Sequence, residues 1–304
     1  MRGSPCRGGP GAGPTYALRV SSKPDPVVDA LSQIAALPAV VTAVDDSREA
    51  CTRLRWHQAL RRRIPEAAAE SRVRGAWASA ELDGARSSAD IVRDLACGAR
   101  HWSPDPDPGE RVLRGAVTAT SEAEHVRSVV LAAPLQALAR LHLAAAADLV
   151  DDPAQLGRPR NPGEECGELV DLGPAPEVSE MRARLDALTR VVAAHGRIPT
   201  LVVAAIVHAE VAAVRPFTRG NGVVARAMER AIIQAGGLDP TAVVVPEAGH
   251  GAQGGTAYLG ALTAYATGGP DGLVLWLTHC GDAVVAGALE GQGIADAVLA
   301  GRLG

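Results

Sequence analysis

The sequence LVVAAIVHAEVAAVRPFTRGNGVVAR, residues 201–226, decides the fold. Its first part, 201–214, is apolar on nearly every side, which is typical of a central, buried helix. A Gly-Asn-Gly turn at 220–222 then leads directly into a second helical pattern over 222–235. The only phenylalanine of the chain, Phe217, lies in the loop between the two. The stretch therefore predicts two core helices joined by a tight loop, which one aromatic side chain anchors.

The composition of the 304-residue chain also favours packed helices. Hydrophobic residues make up 47% and aromatic residues only 3%, so that alanine, leucine and valine must fill the core. A net charge of −4 provides no general attraction to nucleic acid or to an anionic membrane, and neither partner is expected. Five scattered cysteines without a CxxC pair indicate a reducing compartment rather than a disulfide framework or a zinc site. The first residues lack the apolar segment of a secretory signal, and we expect a cytoplasmic protein.

Helical periodicity runs through most of the chain and divides it into four parts. We predict a disordered tail over 1–25, an N-terminal helical region over 26–102, a core domain over 109–290 and a C-terminal helix over 291–304. A Pro- and Asp-rich linker at 103–110 separates the helical region from the core.

The expected helices and the two short extended runs follow from apolar spacing and from Gly and Pro stops. Helices are predicted at 27–36, 47–63, 65–82, 87–97, 109–130, 134–149, 177–195, 200–214, 222–235, 255–267, 272–288 and 291–302. The run TAVVV at 241–245 predicts a strand, and residues 168–171 predict a short strand within the long aperiodic stretch 151–176.

The loop has the chemistry of an anion site. The amides that open a helix have no internal partners, and a Gly-Asn-Gly turn lets a ligand approach them closely. Three arginines, Arg215, Arg219 and Arg226, surround this helix start, and a guanidinium matches phosphate or carboxylate with two hydrogen bonds. An equally simple interpretation is a helix–helix turn with solvated arginines, some of them paired with Glu229. A dinucleotide-binding GxGxxA turn is disfavoured because a helix, not a strand, precedes the glycines.

The same loop resembles the motif of the Fic (Fido-fold) family, His-Pro-Phe-x-Asp/Glu-Gly-Asn-Gly-Arg-x-x-Arg, and the resemblance extends over residues 65–285. It implies an all-α Fido-fold core with an N-terminal helical extension and at most a short β-hairpin flap. The flap would lie at 157–173 and would be the contact for a target protein. The nucleotide- or phosphate-binding residues implied by the match are Phe217, Thr218, Arg219, Gly220, Asn221, Gly222 and Arg226.

A second motif resembles the inhibitory helix of the family, Ser/Thr-x-x-x-Glu-Gly/Asn. Ser79, Asp83 and Gly84 have this spacing, with aspartate in place of glutamate. The resemblance implies that Asp83 pairs with Arg226 and excludes the nucleotide γ-phosphate. Each of these two charges is also unfavourable for the dipole of its own helix, so pairing would relieve both. The alternative is that Asp83-Gly84 simply ends a helix.

The departures from the motif concern its chemistry. Arg215 replaces the histidine that the family uses as general base, and arginine stays protonated at ordinary pH. Arg219 replaces the acidic residue that would hold Mg²⁺, and Val223 replaces an arginine. ATP is the candidate cofactor, Mg²⁺ is doubtful and no protein metal site is predicted. His208 is predicted to be a core histidine that is hydrogen-bonded to the backbone.

Three functions stay open at this point. The first is a divergent Fic protein that keeps a nucleotide- or phosphate-binding loop but is not a normal AMP transferase. The second is an active protein adenylyltransferase, or another phosphoryl-type transferase, that uses a non-standard site. The third is a non-catalytic regulatory or scaffold protein. A homodimer is a candidate assembly, and the ligand could be a nucleotide or another phosphorylated small molecule.

Overall fold

The architecture comes from a computed structural model that describes residues 1, 3, 25–168 and 173–302. These residues form α-helices and two 3₁₀ turns, Gln58–Arg61 and Pro153–Gln155, but no β-strand. The all-α class is therefore confirmed. The helices are α1 Pro26–Ala35, α2 Pro38–Arg55, α3 Ile64–Leu82, α4 Ala89–Ala96, α5 Pro108–Val126, α6 Pro134–Ala146, α7 Val178–Ala193, α8 Thr200–Val214, α9 Asn221–Ala235, α10 Pro246–Ala252, α11 Gly255–Thr267 and α12 Gly269–Leu299.

Local sequence explains where several helices begin. The side chains of Asp25, Ser88 and Asp107 accept hydrogen bonds from the first free amides of α1, α4 and α5. A proline in the first turn of α1, α2, α3 and α5 loses no intrahelical bond there and presets the backbone angle.

The core places the loop between α8 and α9 at the centre of the molecule. Helix α8 is buried almost all round and packs along α9, while α12 packs mainly against α2, α10 and α11. Helix α3, from the N-terminal region, packs against α5, α10 and α12, and the residues on both sides of the predicted linker share one hydrophobic core. The C-terminal end of α3 is thereby held beside the start of α9.

Three of the helix predictions were wrong. The helix expected at 47–63 begins earlier, at Pro38, and ends at Arg55, and His57 caps a separate 3₁₀ turn. The helices expected at 272–288 and 291–302 are the single helix α12, so the predicted boundary before 291 falls inside it. Gly291 lies inside this helix, at a point where a Cβ would come within 2.7 Å of the carbonyl oxygen of Val243. The glycine permits close packing.

Helix α12 is long and apolar enough to cross a membrane, by length and composition only. Central helices of folded domains share these properties, and α12 packs against α2, α3, α8, α10 and α11.

The strand predicted at 241–245 was also wrong. Val243, Val244 and Val245 are buried, but their segment is a turn in which Ala242 has a φ of 59°. The carboxylate of Asp239 accepts hydrogen bonds from the amides of Thr241 and Val244, and the amide of Val245 donates to Gly287 of α12. Because a side chain and a helix carbonyl satisfy these amides, the run needs no partner strand. It leads into α10, which the sequence did not predict.

Two predicted features lie largely outside the described residues. The tail at 1–25 falls there apart from Met1, Gly3 and Asp25, and the strand at 168–171 falls there apart from Glu168.

Candidate anion-binding site

Internal hydrogen bonds and one ring stack fix the conformation of the loop between α8 and α9. Helix α8 ends at Val214, and the next residue, Arg215, has a φ of 45° that turns the chain sharply. Gly220, with a φ of 75°, directly precedes α9. The side chain of Asn221 accepts a hydrogen bond from the amide of Phe217 (2.9 Å) and donates one to its carbonyl oxygen (2.9 Å). Phe217 is 1% exposed and stacks on the ring of His142, with the ring centroids 3.7 Å apart. Phe217 and Asn221 therefore fix the shape of the turn.

The turn presents its amides to a carboxylate of the same chain. The amides of Gly220 and Asn221 donate to the two oxygens of Glu168 at 3.2 and 3.0 Å, and Asn221 Nδ2 donates to Glu168 at 2.6 Å. Burial, and then the charge of Asp83, raise the pKa of the Glu168 carboxyl above its usual value, against these hydrogen bonds. The loop thus already binds an anionic group, which the flap supplies.

Arg226 occupies the second turn of α9, slightly deeper than the sequence indicated. Its guanidinium is 1% exposed and donates to Asp83 Oδ1 (2.7 Å), to Ser79 Oγ (2.9 Å) and to the Ser79 carbonyl (2.9 Å). A fourth hydrogen bond, of 3.2 Å, reaches Tyr258 Oη. Asp83 forms the C-terminal cap of α3, and Gly84 follows with a φ of 86°. The end of α3 therefore covers the guanidinium of Arg226.

Little space is left between these groups. The cavity lined by Asp83, Glu168, Gly222, Arg226 and Tyr258 has a volume of about 20 Å³, room for about one water molecule. A Cβ on Gly222 would lie 2.5 Å from Asp83 Oδ1, so that only glycine lets Asp83 approach this closely. With both carboxylates in these positions, the cavity is too small to hold a nucleotide.

Arg215, at the position of the family's general base, has a structural role. Its Nη1 and Nη2 donate to the carbonyl oxygens of Gly173 and Pro174 at 2.6 and 2.5 Å. Its own carbonyl accepts from Arg160 Nε (3.0 Å), and the amide of Arg160 donates to the carbonyl of Pro216 (2.7 Å). Arg215 and Arg160 join the loop to the flap and to the segment that follows it.

The flap also contacts Thr218 and Arg219, through Gly167. Arg219 is exposed, and its guanidinium lies where a Cβ of Gly167 would be, 1.1 Å from the ideal position. The carbonyl of Thr218 accepts from the amide of Gly167 (2.9 Å), and its hydroxyl donates to Gln155 Oε1 (3.0 Å). A cation thus stands where the family motif has a metal-binding carboxylate. These residues do not fit Mg²⁺, although the amides of the turn fit phosphate oxygens.

His208 is the core histidine that its helix predicts, but its partners are different. It is fully buried, and its ring nitrogens lie 2.6 Å from Glu229 Oε2 and 2.8 Å from Tyr258 Oη. The expected bond to the backbone was wrong. The alternative pairing of the loop arginines with Glu229 is also absent from the described residues, since the described partners of this carboxylate are His208 and His250.

Comparison with known proteins agrees with this geometry. Residues 132–233, which include α6 to α8 and most of α9, match the sequence profile of the Fic/DOC family. This segment belongs to the Fic/DOC family. No curated protein has a significantly similar sequence.

Solved structures of Fic proteins share the fold well beyond this segment. A Fic family protein from Desulfovibrio desulfuricans G20 superposes with a TM-score of 0.62 at 21% identity, over 82% of this chain and 73% of that one. Fic-1 from C. elegans gives 0.59 at 17% identity, over 88% and 74%. A Fic domain containing signaling protein from Bacteroides thetaiotaomicron VPI-5482 gives 0.61 at 12% identity, over 84% and 97%. The Fido-fold prediction is therefore confirmed for the fold.

Sequence reasoning did not find three residues of the site. Glu168 was assigned only to a short strand, Tyr258 only to a helix, and Arg160 only to a segment with a counterpart in the family. Each reaches the loop from more than thirty positions away along the chain, so that no local spacing connects it to the motif. The carboxylate and arginine content of the long stretch 151–176 was the available signal.

Proposed function

We propose that this Fic-fold protein binds the phosphate groups of a nucleotide, or of another phosphorylated small molecule, at the turn that opens α9. The observation that carries the proposal is the carboxylate of Glu168, which receives hydrogen bonds from the amides of Gly220 and Asn221. Those donors are oriented for an anion with oxygens on two sides. A phosphate presents the same oxygens with more charge.

Arg226 supplies the second contact of the proposed site. Its guanidinium lies on the same small cavity as Glu168 and is neutralised by Asp83. Burial opposes its charge, but Asp83 and then Tyr258 outweigh that effect and raise its pKa further, so the residue is a permanent cation. When Asp83 leaves, a ligand phosphate is the natural replacement for it.

The two carboxylates make the closed form self-inhibited. Asp83 lies on α3 and Glu168 on the flap, and both occupy positions that phosphate oxygens would take. The free energy for releasing them is subtracted from the binding free energy of the ligand, so the natural chain should bind weakly until a partner or a second signal displaces them.

We further propose that the protein acts as a regulated binding module rather than as an AMP transferase. A general base near the motif contributes about 10²–10⁴ to such a reaction, and the protonated Arg215 cannot provide it. The same guanidinium is engaged with Gly173 and Pro174, and Arg219 repels a metal ion. Nothing in these contacts favours the alternative of an active transferase.

The test is calorimetric titration of the full chain with ATP, ADP and inorganic phosphate. We expect the double variant Asp83→Ala/Glu168→Ala to bind at least one of them about tenfold more tightly than the natural protein or better. Adding Arg226→Ala to the double variant should remove the gain. Asp90→Ala, at an exposed carboxylate that starts α4, is the matched control and should leave affinity unchanged. A folded double variant that binds none of the three ligands would refute the proposal.

A further inference from the structure

Three helices bring a carboxylate and two histidines together behind the anion site. We call His208 of α8, Glu229 of α9 and His250 of α10 the histidine cluster; all three are fully buried. His208 Nδ1 lies 2.6 Å and His250 Nε2 lies 2.7 Å from the same oxygen, Glu229 Oε2. The three atoms lie within 4.8 Å of one another. Two imidazole nitrogens therefore converge on one carboxylate oxygen.

The other nitrogen of each imidazole is also fixed. His208 Nε2 lies 2.8 Å from Tyr258 Oη, and His250 Nδ1 lies 3.2 Å from His279 Nε2. Histidines that bind metals almost always have their second nitrogen held by a hydrogen-bond partner, which sets the tautomer and the ring orientation. The ring of His250 is further held in a stack with Trp276. Both imidazoles are thus presented in fixed orientations.

Among the described residues, no guanidinium group is hydrogen-bonded to the Glu229 carboxylate, whose partners are His208 and His250. The neighbouring guanidinium groups of Arg226 and Arg230 are hydrogen-bonded to Asp83 and Glu247 instead.

One oxygen of the carboxylate is unused. Glu229 Oε1 is buried and has no hydrogen-bond partner in the part of the chain that the structure describes. A buried carboxylate oxygen without a donor is costly, and it commonly indicates an ion or a ligand. With Oε1 included, the cluster offers two nitrogen and two oxygen donors.

We propose that His208, Glu229 and His250 bind one zinc ion, with Glu229 as a bidentate ligand. Two imidazoles and a carboxylate are a usual zinc set, and nitrogen donors favour zinc over magnesium. With metal–ligand distances of about 2.0–2.1 Å, each nitrogen must move only about half an ångström away from Oε2 to admit the ion. This site is separate from the motif position at Arg219, where a cation is disfavoured.

The site is structural. Helix α10, PEAGHGA, has only seven residues and two internal glycines, so that it is marginal by itself. Helix α10 nevertheless packs very closely against α12: a Cβ on Gly249 would lie 1.8 Å from the carbonyl oxygen of Ala283 in α12. A zinc ion would fix α10 to α8 and α9 in this position. Since the cluster is enclosed, the ion would be taken up as the chain folds.

The first test is the metal content of the full chain, produced in zinc-supplemented medium and purified without a histidine tag or a chelator. Mass spectrometry of the dissolved metal should find about one zinc ion per chain. Glu229→Gln keeps the shape of the carboxylate, and it should lose the ion, as should His250→Ala. His142→Ala removes an equally buried histidine outside the cluster and should keep the ion.

A second test follows uptake during folding. Protein unfolded with a chelator and refolded with one equivalent of Zn²⁺ should melt at a higher temperature than protein refolded without it, and Glu229→Gln should show no difference. Tyr258→Phe keeps all three ligands, and it should weaken zinc binding about 10- to 100-fold in competition with a chelator. A natural chain that is zinc-free after both preparations, or a Glu229→Gln variant that keeps one zinc ion, would overturn the proposal in favour of a plain hydrogen-bond network.

Discussion

Arg215 Nη1 donates a hydrogen bond of 2.6 Å to the carbonyl oxygen of Gly173, across the edge of the flap. The residue at the catalytic position of a Fic motif is thus used to hold a neighbouring segment in place. Its second nitrogen does the same for Pro174, and its left-handed backbone lets the loop turn away from α8 at this point. Both guanidinium contacts therefore tie the loop to residues 173 and 174.

The first prediction concerns transfer chemistry. Incubated with labelled ATP and cell lysate, neither the natural chain nor Asp83→Ala should label any protein, because Arg215 cannot accept a proton. The combined variant Asp83→Ala/Glu168→Ala/Arg215→His/Arg219→Asp removes both carboxylates that occupy the site and restores a base and an acidic metal position, and we expect it to gain measurable labelling. Adding Arg226→Ala should abolish that gain. Labelling by a protein that still has Arg215 would contradict the prediction.

The second prediction concerns the anchor of the loop. Phe217→Ala removes a ring that is 1% exposed and leaves the stacked face of His142 without a partner. We expect a loss of about 3–5 kcal/mol in the free energy of unfolding, measured with urea. Phe217→Leu should lose clearly less, since it fills most of the space. A loss under about 1 kcal/mol for the alanine variant would mean that the loop does not depend on this ring.

The third prediction is a pH dependence. Burial lowers the pKa of His142 from 6.5 to about 4 in the folded protein. The folded state therefore takes up its proton later than the unfolded chain does, and the stability that this residue contributes above pH 6.5 is lost as the pH falls toward 4. The contribution is on the order of 3 kcal/mol or less, at 1.36 kcal/mol per pKa unit.

The pH dependence can be isolated by comparison of variants. Urea unfolding of the natural chain and of His142→Gln between pH 7 and pH 4 should give curves that converge, since glutamine has no proton to take up. His125→Gln, at an exposed histidine, is the control and should run parallel to the natural chain. Parallel curves for His142→Gln would exclude the proposed proton linkage.

The fourth prediction compares a buried ion pair with an exposed one. Arg230 and Glu247 are both 2% exposed and are joined by two hydrogen bonds, of 2.7 and 2.8 Å. Glu247→Ala leaves a buried guanidinium unpaired and should cost about 3–5 kcal/mol of unfolding free energy. Asp45→Ala breaks a pair in which both side chains are 62% exposed, and it should change the free energy by about 0.5 kcal/mol or less. Equal losses in the two variants would contradict this reasoning.

The central part of the fold could be predicted because its signals are local. The apolar run of α8, the turn at Gly220 and the helical pattern of α9 are contiguous, and Asp83 ends α3 at a glycine. Helical periodicity and helix-stop signals can be recognised from residues that lie within one or two helical turns of each other in the sequence. The position of Phe217 in the core also follows, since a lone aromatic ring in a polar loop needs burial.

The rest depends on contacts between distant positions. Glu168 contacts Asn221, although two helices lie between them in the sequence. His250 contacts Glu229 from α10, a short helix that was not predicted because its glycines have a low helix propensity. The buried run at 241–245 was ambiguous by composition, and only the carboxylate of Asp239 and the backbone of α12 decide its backbone conformation. Such pairings are set by packing and leave no spacing pattern in the sequence.

The two carboxylates at the loop come from separate parts of the sequence: Asp83 from the end of α3, and Glu168 from the stretch before α7. In the proposed site, the apparent affinity for a ligand falls by the fraction of the time for which both carboxylates are released together. Displacement of Asp83 alone, or of Glu168 alone, would therefore restore only part of the affinity for the ligand. Under the proposed function, full occupancy of the turn would therefore require the displacement of both carboxylates, each held by a different part of the chain.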